Sequence, residues 1–365
     1  MQIGIEHIQK LSSGSLLLGC GGGGNASKGL ENAKKALEMG EVELLTIEEL
    51  ETRCREQKKD GVIVTMSGVG SPSTPDAYHT AEDYPIMLAA LQQKLDKPIV
   101  GLIACEIGGS STFEPFIPAA LLKVPVIDAP CDGRAHPLGL MGALALEQTG
   151  QLVYQSVSGG KVEKGTRVEM VVHGTVEMTS ALVRNASAAA GGFIGVARNP
   201  VDLDWLKKAG ATGAYQQALQ LGAIWENGKP LEERVQAVAE ALNGKVLIKG
   251  IVSDFVMKTD NALDRGHFVV CDGEKRFKLY YFNEYMALET DGQRVHTFPD
   301  PIITIDADTG TIMTTADIAD GQSLYVIAAG YEEVMLGAGL KSKGIYKQVE
   351  QILDIDMVEY LENLF

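Results

Sequence analysis

Short, uninterrupted apolar runs alternate with helical stretches through the first half of the chain, and this alternation constrains the fold more than any other feature. Runs such as GVIVTM (61–66), IVGLIAC (99–105) and VI (126–127) show no alternation with polar residues. Strands that are apolar on both sides are buried on both faces, as in parallel sheets covered by helices. The pattern predicts an α/β domain over residues 1–165, in which a three-layer parallel-type sheet has helices on both faces.

The pattern changes in the second half of the chain. Helical stretches at 176–190, 201–220 and 231–241 precede a region, 245–329, that is mostly strand-like. Turn signals such as CDGEK, TDGQ and DTGT separate the runs of that region, which indicates antiparallel pairing. We therefore predict a mixed C-terminal domain, residues 166–365, that contains helices and an antiparallel β unit.

The charge composition of the chain limits the classes of molecule that it is expected to bind. The net charge of -16 disfavours nucleic acid and anionic membrane surfaces, because both require a surplus of Lys and Arg. No signal peptide is evident, no apolar run is long enough for a membrane span, and the five cysteines form no CxxC pair. We therefore expect a cytoplasmic protein that acts on a small molecule, with a homo-oligomer as the general expectation.

Four consecutive glycines stand in LLLGCGGGGNASKG (16–29), directly after the apolar run Leu16–Leu18. If that run is a strand, the glycines satisfy the G-x-G-x-x-G pattern of dinucleotide-binding loops. Asn25 is predicted to cap the helix that follows. Three interpretations stay open: a tight turn, a loop that binds an anion or polar substrate through its backbone, and a site for NAD or ATP.

Two loops after predicted strands carry most of the chemistry. Glu106 follows a strand in ACEIGGSST, a setting that suits a general base or a metal ligand. In DAPCDGRAHP, the side chains of Asp128, Asp132 and His136 could hold one divalent metal ion, zinc or similar. Equally, Arg134 could bind a substrate carboxylate through its planar fork. Because the ends of parallel strands meet at one sheet edge, we expect these loops to converge.

A long loop, SGVGSPSTPDAYHTAEDYP (67–85), is typical of a lid or a binding loop. Its candidate residues are Ser67, Ser71, Asp76 and His79. His173 ends a later strand and could reach the site from the second domain. Cys131 is interpreted as a small buried hydrophobe, because no histidine of its loop is obviously placed to activate it.

The motifs LGCGGGGN, SGVGSPS, EIGGSS and VIDAPCDGRAHP occur in that order, and with them the chain resembles the S-methyl thiohydantoin desulfurase-like family. That family, formerly a domain of unknown function, occurs beside hydantoinase and oxoprolinase proteins. YYFNEYMALE and PDPIITIDADTG resemble its C-terminal domain. Asn25 stands where the family usually has aspartate, and His136 where it usually has an aromatic residue. The family-like site positions are Gly21–Gly24, Asn25, Glu106, Asp128, Gly133 and Arg134.

Together the loops and the resemblance predict a hydrolase that acts on a small cyclic hydantoin- or S-methyl thiohydantoin-like substrate, assisted by a divalent metal ion. The predicted catalytic residues are Glu106, Asp132 and His136, and the predicted metal ligands are Asp128, Asp132, His136 and Glu106. The predicted substrate-binding residues are Gly21, Gly22, Gly23, Gly24, Asn25, Ser67, His79 and Arg134. The alternatives are a nucleotide-binding protein that uses the glycine loop for NAD or ATP, and a non-catalytic partner of a hydantoinase- or oxoprolinase-type protein.

Overall fold

The computed structural model describes residues 1–70, 74–260 and 263–365. Over these residues the helices are α1 (Ile5–Gly19), α2 (Ala26–Met39), α3 (Ile47–Gln57), α4 (Asp83–Gln92), α5 (Phe116–Leu122), α6 (Val176–Ala189), α7 (Leu203–Ala209), α8 (Ala214–Trp225), α9 (Leu231–Ala241) and α10 (Lys343–Leu353). The strands are β1 (Leu44–Leu45), β2 (Val62–Gly70), β3 (Ile99–Ala104), β4 (Val126–Ile127), β5 (Val153–Gly159), β6 (Val168–Gly174), β7 (Phe193–Val201), β8 (Lys245–Asp260), β9 (Leu263–Cys271), β10 (Arg276–Phe282), β11 (Glu284–Thr290), β12 (Gln293–Thr297), β13 (Ile302–Asp306) and β14 (Ser323–Ala328). Among the described helices, none is both long and apolar enough to cross a membrane.

The first sheet has the strand order β1-β4-β3-β2-β7-β5-β6. Strands β1, β4, β3 and β2 run parallel, whereas β7, β5 and β6 are antiparallel to their neighbours. Val64 and Met66 pack with side chains of α1 and α2, while Ile63 and Ile103 pack with α3 and α7 on the opposite face. The predicted three-layer α/β arrangement is confirmed, with a sheet that is mixed rather than wholly parallel.

The second sheet is antiparallel throughout its described strands, in the order β12-β11-β10-β9-β8-β14-β13. This confirms the predicted antiparallel β unit of the mixed C-terminal half. Ile303 and Ile327, from β13 and β14, share one cluster of buried side chains with α1 and α9. Strands β6 and β7 lie beyond residue 165 and complete the first sheet, so that sheet extends past the predicted domain division, which stays a prediction.

The predicted strand at Leu16–Leu18 is wrong, because these leucines form the last turns of α1. Ile8, Leu11, Ser15 and Leu18 are all buried and recur at helical spacing, a period that three leucines considered alone conceal. The glycine run therefore begins where a helix ends, with Cys20 in the left-handed conformation at the helix terminus. The strand–loop–helix context that a dinucleotide fingerprint requires is absent over these described residues.

The stretch predicted as one helix over 201–220 contains two, α7 and α8. The segment between them turns at Gly213, whose φ is +86°, a conformation that glycine adopts without strain. This break directs the N-terminus of α8 toward the end of β4, which fixes the environment of Asp128 described below.

Candidate functional site

A cavity of about 1010 Å³ lies at the C-terminal ends of β2 and β3, and we call it the strand-end cavity. Its walls come from the glycine loop, from the loops that follow β2, β3 and β4, from α6, and from the start of β11. The predicted convergence of the strand-end loops is therefore observed. The second sheet also contributes a wall, which brings distant parts of the chain to one site.

The glycine loop is closely approached by the protein itself. The carbonyl of Gly23 accepts hydrogen bonds from the N–H groups of Ser110 at 2.9 Å and Ser111 at 3.2 Å. A Cβ on Gly23 would overlap Cα of Gly108, and one on Gly24 would overlap the Ser110 hydroxyl. The run lacks side chains because the loop after β3 packs directly on its backbone.

The other side of the glycine loop faces Glu284, the first residue of β11. A Cβ on Gly22 would overlap its Oε1, and Gly23 donates its N–H to the same oxygen at 3.3 Å. The carboxyl group of Glu284 thus takes up the N–H of Gly23, which is no longer free for a bound anion. Asn25 caps α2 as predicted: its Oδ1 accepts the N–H of Lys28 at 2.9 Å, and the residue borders the strand-end cavity.

Glu284 and Glu106 both line the strand-end cavity. Glu284 is only 2% exposed, and among the described residues its Oε2 has no hydrogen-bond partner. Burial raises the pKa of Glu284 well above its usual range, and the charge of Glu106 raises it further. This shift favours the protonated form of Glu284. Sequence reasoning missed it, although Asn283–Glu284 is a polar pair within the otherwise apolar run YYFNEYMAL.

Glu106, His136 and Asp132 lie together, as the sequence predicts. Glu106 Oε2 accepts the backbone N–H of His136 at 3.0 Å and lies 3.4 Å from its Nε2. Asp132 Oδ2 is 3.5 Å from the same nitrogen, but Asp132 is not among the residues that line the cavity. Neither ring nitrogen of His136 makes a hydrogen bond of good geometry within the described part of the chain. Burial lowers the pKa of His136 and raises that of Asp132, which favours the neutral form of each side chain.

Asp128 lies elsewhere, at the N-terminus of α8. Its two oxygens accept the N–H groups of Tyr215 at 2.7 Å and Gln216 at 3.3 Å, and burial raises its pKa to about 6. Across 1–70, 74–260 and 263–365, no group of three or more His, Cys, Asp or Glu side chains is arranged to hold a metal ion. The four predicted ligands therefore do not form one metal site, because Asp128 is held at the N-terminus of α8 instead.

Arg134 does not line the cavity, although the sequence predicts that it binds substrate. Its Nη1 donates to the carbonyls of Pro299 at 2.9 Å and Asp300 at 2.7 Å, and the guanidinium lies 4.3 Å from the ring centre of Phe298. Gly133 packs on the carbonyl of Met335 in the same region. These contacts tie the loop after β4 to the C-terminal half, which is a structural task.

His79 lines the strand-end cavity, as predicted for a substrate-binding residue. Its Nδ1 is 3.3 Å from the carbonyl of Ser158 and 3.4 Å from Asp83 Oδ2. A carbonyl only accepts, so a hydrogen bond to it places the ring proton on Nδ1. Nε2 then carries the lone pair, and it is buried without a partner among the described residues.

The remaining candidates that the structure describes do not line the cavity. Ser67 is buried within β2, Asp76 pairs with Lys164 at the surface, and exposed His173 stacks on Tyr154. Cys131 is fully buried against the hydroxyl of Thr65, and burial raises its pKa to about 12, which suits the inert role expected of it. Ser71 lies outside the described residues.

A second residue that sequence reasoning missed is Arg198, in β7. It lines the strand-end cavity and is 6% exposed. Nothing in the sequence separates Arg198 from Arg134 as a candidate. The segment FIGVARNPV carries no local signal that places the Arg198 side chain at the site.

A family model described as "S-Me-THD-like, N-terminal domain" matches residues 6–164, and one described as "S-Me-THD-like, C-terminal domain" matches residues 174–342. These matches confirm the resemblance drawn from the loop motifs. A crystal structure of a protein from Chromobacterium violaceum is similar in fold, with a TM-score of 0.72 and 20% sequence identity, over 96% of this chain and 97% of that one. No functionally curated protein matches the chain.

Proposed function

The chain belongs to the S-Me-THD-like family, and on that premise we propose that it is a hydrolase that releases methanethiol from an S-methyl thiohydantoin-like ring. The observation that carries the proposal is the pair of carboxyl groups, Glu106 and Glu284, that line one cavity from opposite halves of the chain. Hydrolysis of a cyclic thioimidate needs one group that takes a proton from water and another that gives a proton to the ring.

The two carboxyl groups divide this work. Water adds to the ring carbon that carries sulfur while Glu106 takes its proton, and protonated Glu284 donates its own to the ring nitrogen. The tetrahedral intermediate then collapses: the C–S bond breaks and the carbonyl forms. The departing sulfur takes the proton from Glu106, and the new carbonyl returns the hydroxyl proton to Glu284. One water is consumed, and hydantoin and methanethiol are released.

The surrounding residues position the pair. The N–H of His136 holds Glu106, and the N–H of Gly23 holds Glu284. The glycine loop therefore orients the acid, in place of the backbone contact to an anion or polar substrate that the sequence suggests. A divalent ion remains a prediction, and no step of the proposed reaction passes through it.

The test measures two products from the purified protein. S-methyl thiohydantoin and hydantoin are supplied separately, protein is removed so that its own cysteines do not react, and free thiol is measured with a chromogenic disulfide. Ring-opened ureido acid is measured by chromatography. We expect thiol release, and a loss of about 10²–10⁴-fold in Glu106→Gln and in Glu284→Gln.

Glu38→Gln is the matched control, because Glu38 is exposed on α2 away from the cavity lining. It should keep the wild-type rate. Dialysis against a chelator, followed by zinc, tests the predicted metal ion: loss and recovery of activity would support it. Absence of both products, or full activity in the two glutamine variants, would refute the proposed roles. Ring opening without thiol release would keep the carboxyl pair and change the reaction to a hydantoinase type.

A further inference from the structure

Arg198 is a buried cation without an anion. The residue is 6% exposed, and none of the hydrogen bonds or ion pairs formed by the described residues involves its guanidinium. Its Nε is sealed from solvent and has no acceptor. An arginine side chain stays charged in proteins and cannot lose its proton to escape this cost. A buried charge is costly unless it is paired, so this arrangement favours an anionic ligand.

The backbone of β7 is irregular beside Arg198. Thr65 of β2 pairs with Arg198 and Ile63 pairs with Val201, so β7 carries an additional residue between these pairs. Asn199, within this bulge, is 1% exposed and has a φ of +54°. Bulges bend a strand and redirect its side chains, and they are frequent next to active sites. The bulge therefore interrupts the regular pairing of β7 directly after Arg198, the residue that lines the cavity.

The position of Arg198 in the cavity wall determines which residues would surround an anion bound to it. His136 and Cys105, which line the same cavity, both experience its charge. An anion held by Arg198 would therefore share this cavity with Glu106. Arg184 also lines the cavity but is exposed on α6, and water already solvates its charge. Arg198 is thus the better candidate for selecting a charged substrate.

We propose that Arg198 binds a carboxylate on the substrate, so that the preferred substrates are rings that carry an acidic side arm. This inference rests on the proposed function for the ring, but the anion is argued from Arg198 alone. One guanidinium neutralises one charge, and its planar fork matches both carboxylate oxygens. A phosphate monoester carries nearly two charges at neutral pH, which a single arginine leaves partly uncompensated.

The experiment compares two ligands that differ only in charge. Hydantoin-5-acetate and its neutral carboxamide are titrated calorimetrically into wild type, Arg198→Gln and Arg184→Gln. Hydrogen bonds to a charged group are worth enough to favour the acetate by about 10- to 100-fold in wild type. Arg198→Gln should lose that ratio, whereas Arg184→Gln should keep it. The ratio is measured within each variant, so a modest loss of folded protein does not change its meaning.

Equal binding of the two ligands by wild type, no binding of the acetate, or an unchanged ratio in Arg198→Gln would each overturn the inference. The outcome is separate from that for the proposed function, because no turnover is needed. Arg198-dependent binding of the acetate without any thiol or ureido product would leave this inference standing and the proposed reaction refuted. Thiol release at equal rates from charged and neutral rings, with equal binding of the two, would support the proposed reaction and refute this inference.

Discussion

Substituting Gly22 by alanine tests whether the absence of a side chain at this position is needed for the carboxyl group of Glu284 to pack against the glycine loop. A Cβ on Gly22 would overlap Oε1 of Glu284 and stand 2.5 Å from its Cδ. The φ of Gly22 is not in the left-handed region, so alanine can adopt the backbone and the clash with Glu284 dominates. Relieving it requires the carboxyl group to leave the N–H of Gly23, to which it is now bonded.

The magnitude follows from three contributions. Overpacking a buried contact costs about 1–3 kcal/mol. The lost hydrogen bond adds about 1 kcal/mol. Alanine in place of glycine restores about 0.4–1 kcal/mol, because the unfolded chain has less freedom to lose. We therefore expect the free energy of unfolding to fall by about 1–3 kcal/mol, and the rate of thiol release to fall by up to about 10²–10⁴-fold as the acid is displaced.

The assay combines urea unfolding with thiol release, and Gly344→Ala is the control. Gly344 lies in α10 with nothing within 4 Å of a Cβ, so that variant should be unchanged or slightly more stable. In Gly22→Ala/Glu284→Ala the clash is gone, and stability should exceed the sum of the single effects by about 0.5–3 kcal/mol while activity stays lost. If Gly22→Ala matches Gly344→Ala in stability and rate, the close approach of Glu284 does not matter and the reasoning fails.

Three further predictions concern two buried residues of the loop after β4, Asp128 and Cys131. Asp128→Ala should lower the free energy of unfolding by about 2 kcal/mol, because two N–H groups of α8 lose their acceptor; an unchanged urea midpoint would contradict the capping role. Since the pKa of Asp128 is raised to about 6, the native state holds this proton more tightly than the unfolded chain, so its contribution to stability declines as pH rises from about 4 to about 6. Asp128→Asn should remove that slope, which unfolding at a series of pH values measures. Cys131 should stay unmodified when native protein is treated with iodoacetamide at about pH 8, while half-buried Cys54 and Cys271 react; early alkylation of Cys131 in a peptide map would refute its inert role.

Sequence reasoning succeeded where the chemistry follows a strand directly. Glu106, Asp132 and His136 leave neighbouring strands, and the geometry of a parallel sheet brings such residues to one edge whatever their separation in the chain. The same reasoning misplaced Asp128, which lies in the same loop. The orientation of the Asp128 side chain depends on where α8 begins. In the chain, β5, β6 and β7 lie between Asp128 and that helix.

The strand predicted at Leu16–Leu18 shows a second limit. Three leucines before glycine are compatible with a strand or with a helix end, and only the longer spacing from Ile8 decides between them. Once the helix is recognised, the G-x-G-x-x-G pattern loses its meaning as a nucleotide motif. The pattern reflects close packing against Gly108 and Glu284.

The sequence by itself determined the α/β first half, the antiparallel β unit, the family and several residues that line the cavity, among them His79, Glu106 and His136, because each depends on a local period or on a motif that short segments carry. Only the tertiary structure decided that Glu284 lines the same cavity as Glu106, and that Arg198 rather than Arg134 lies in the cavity wall. Glu284 meets Gly23 across 261 positions of the chain. A contact of that kind leaves no periodic trace in either segment, since it arises from how the second sheet packs against the first.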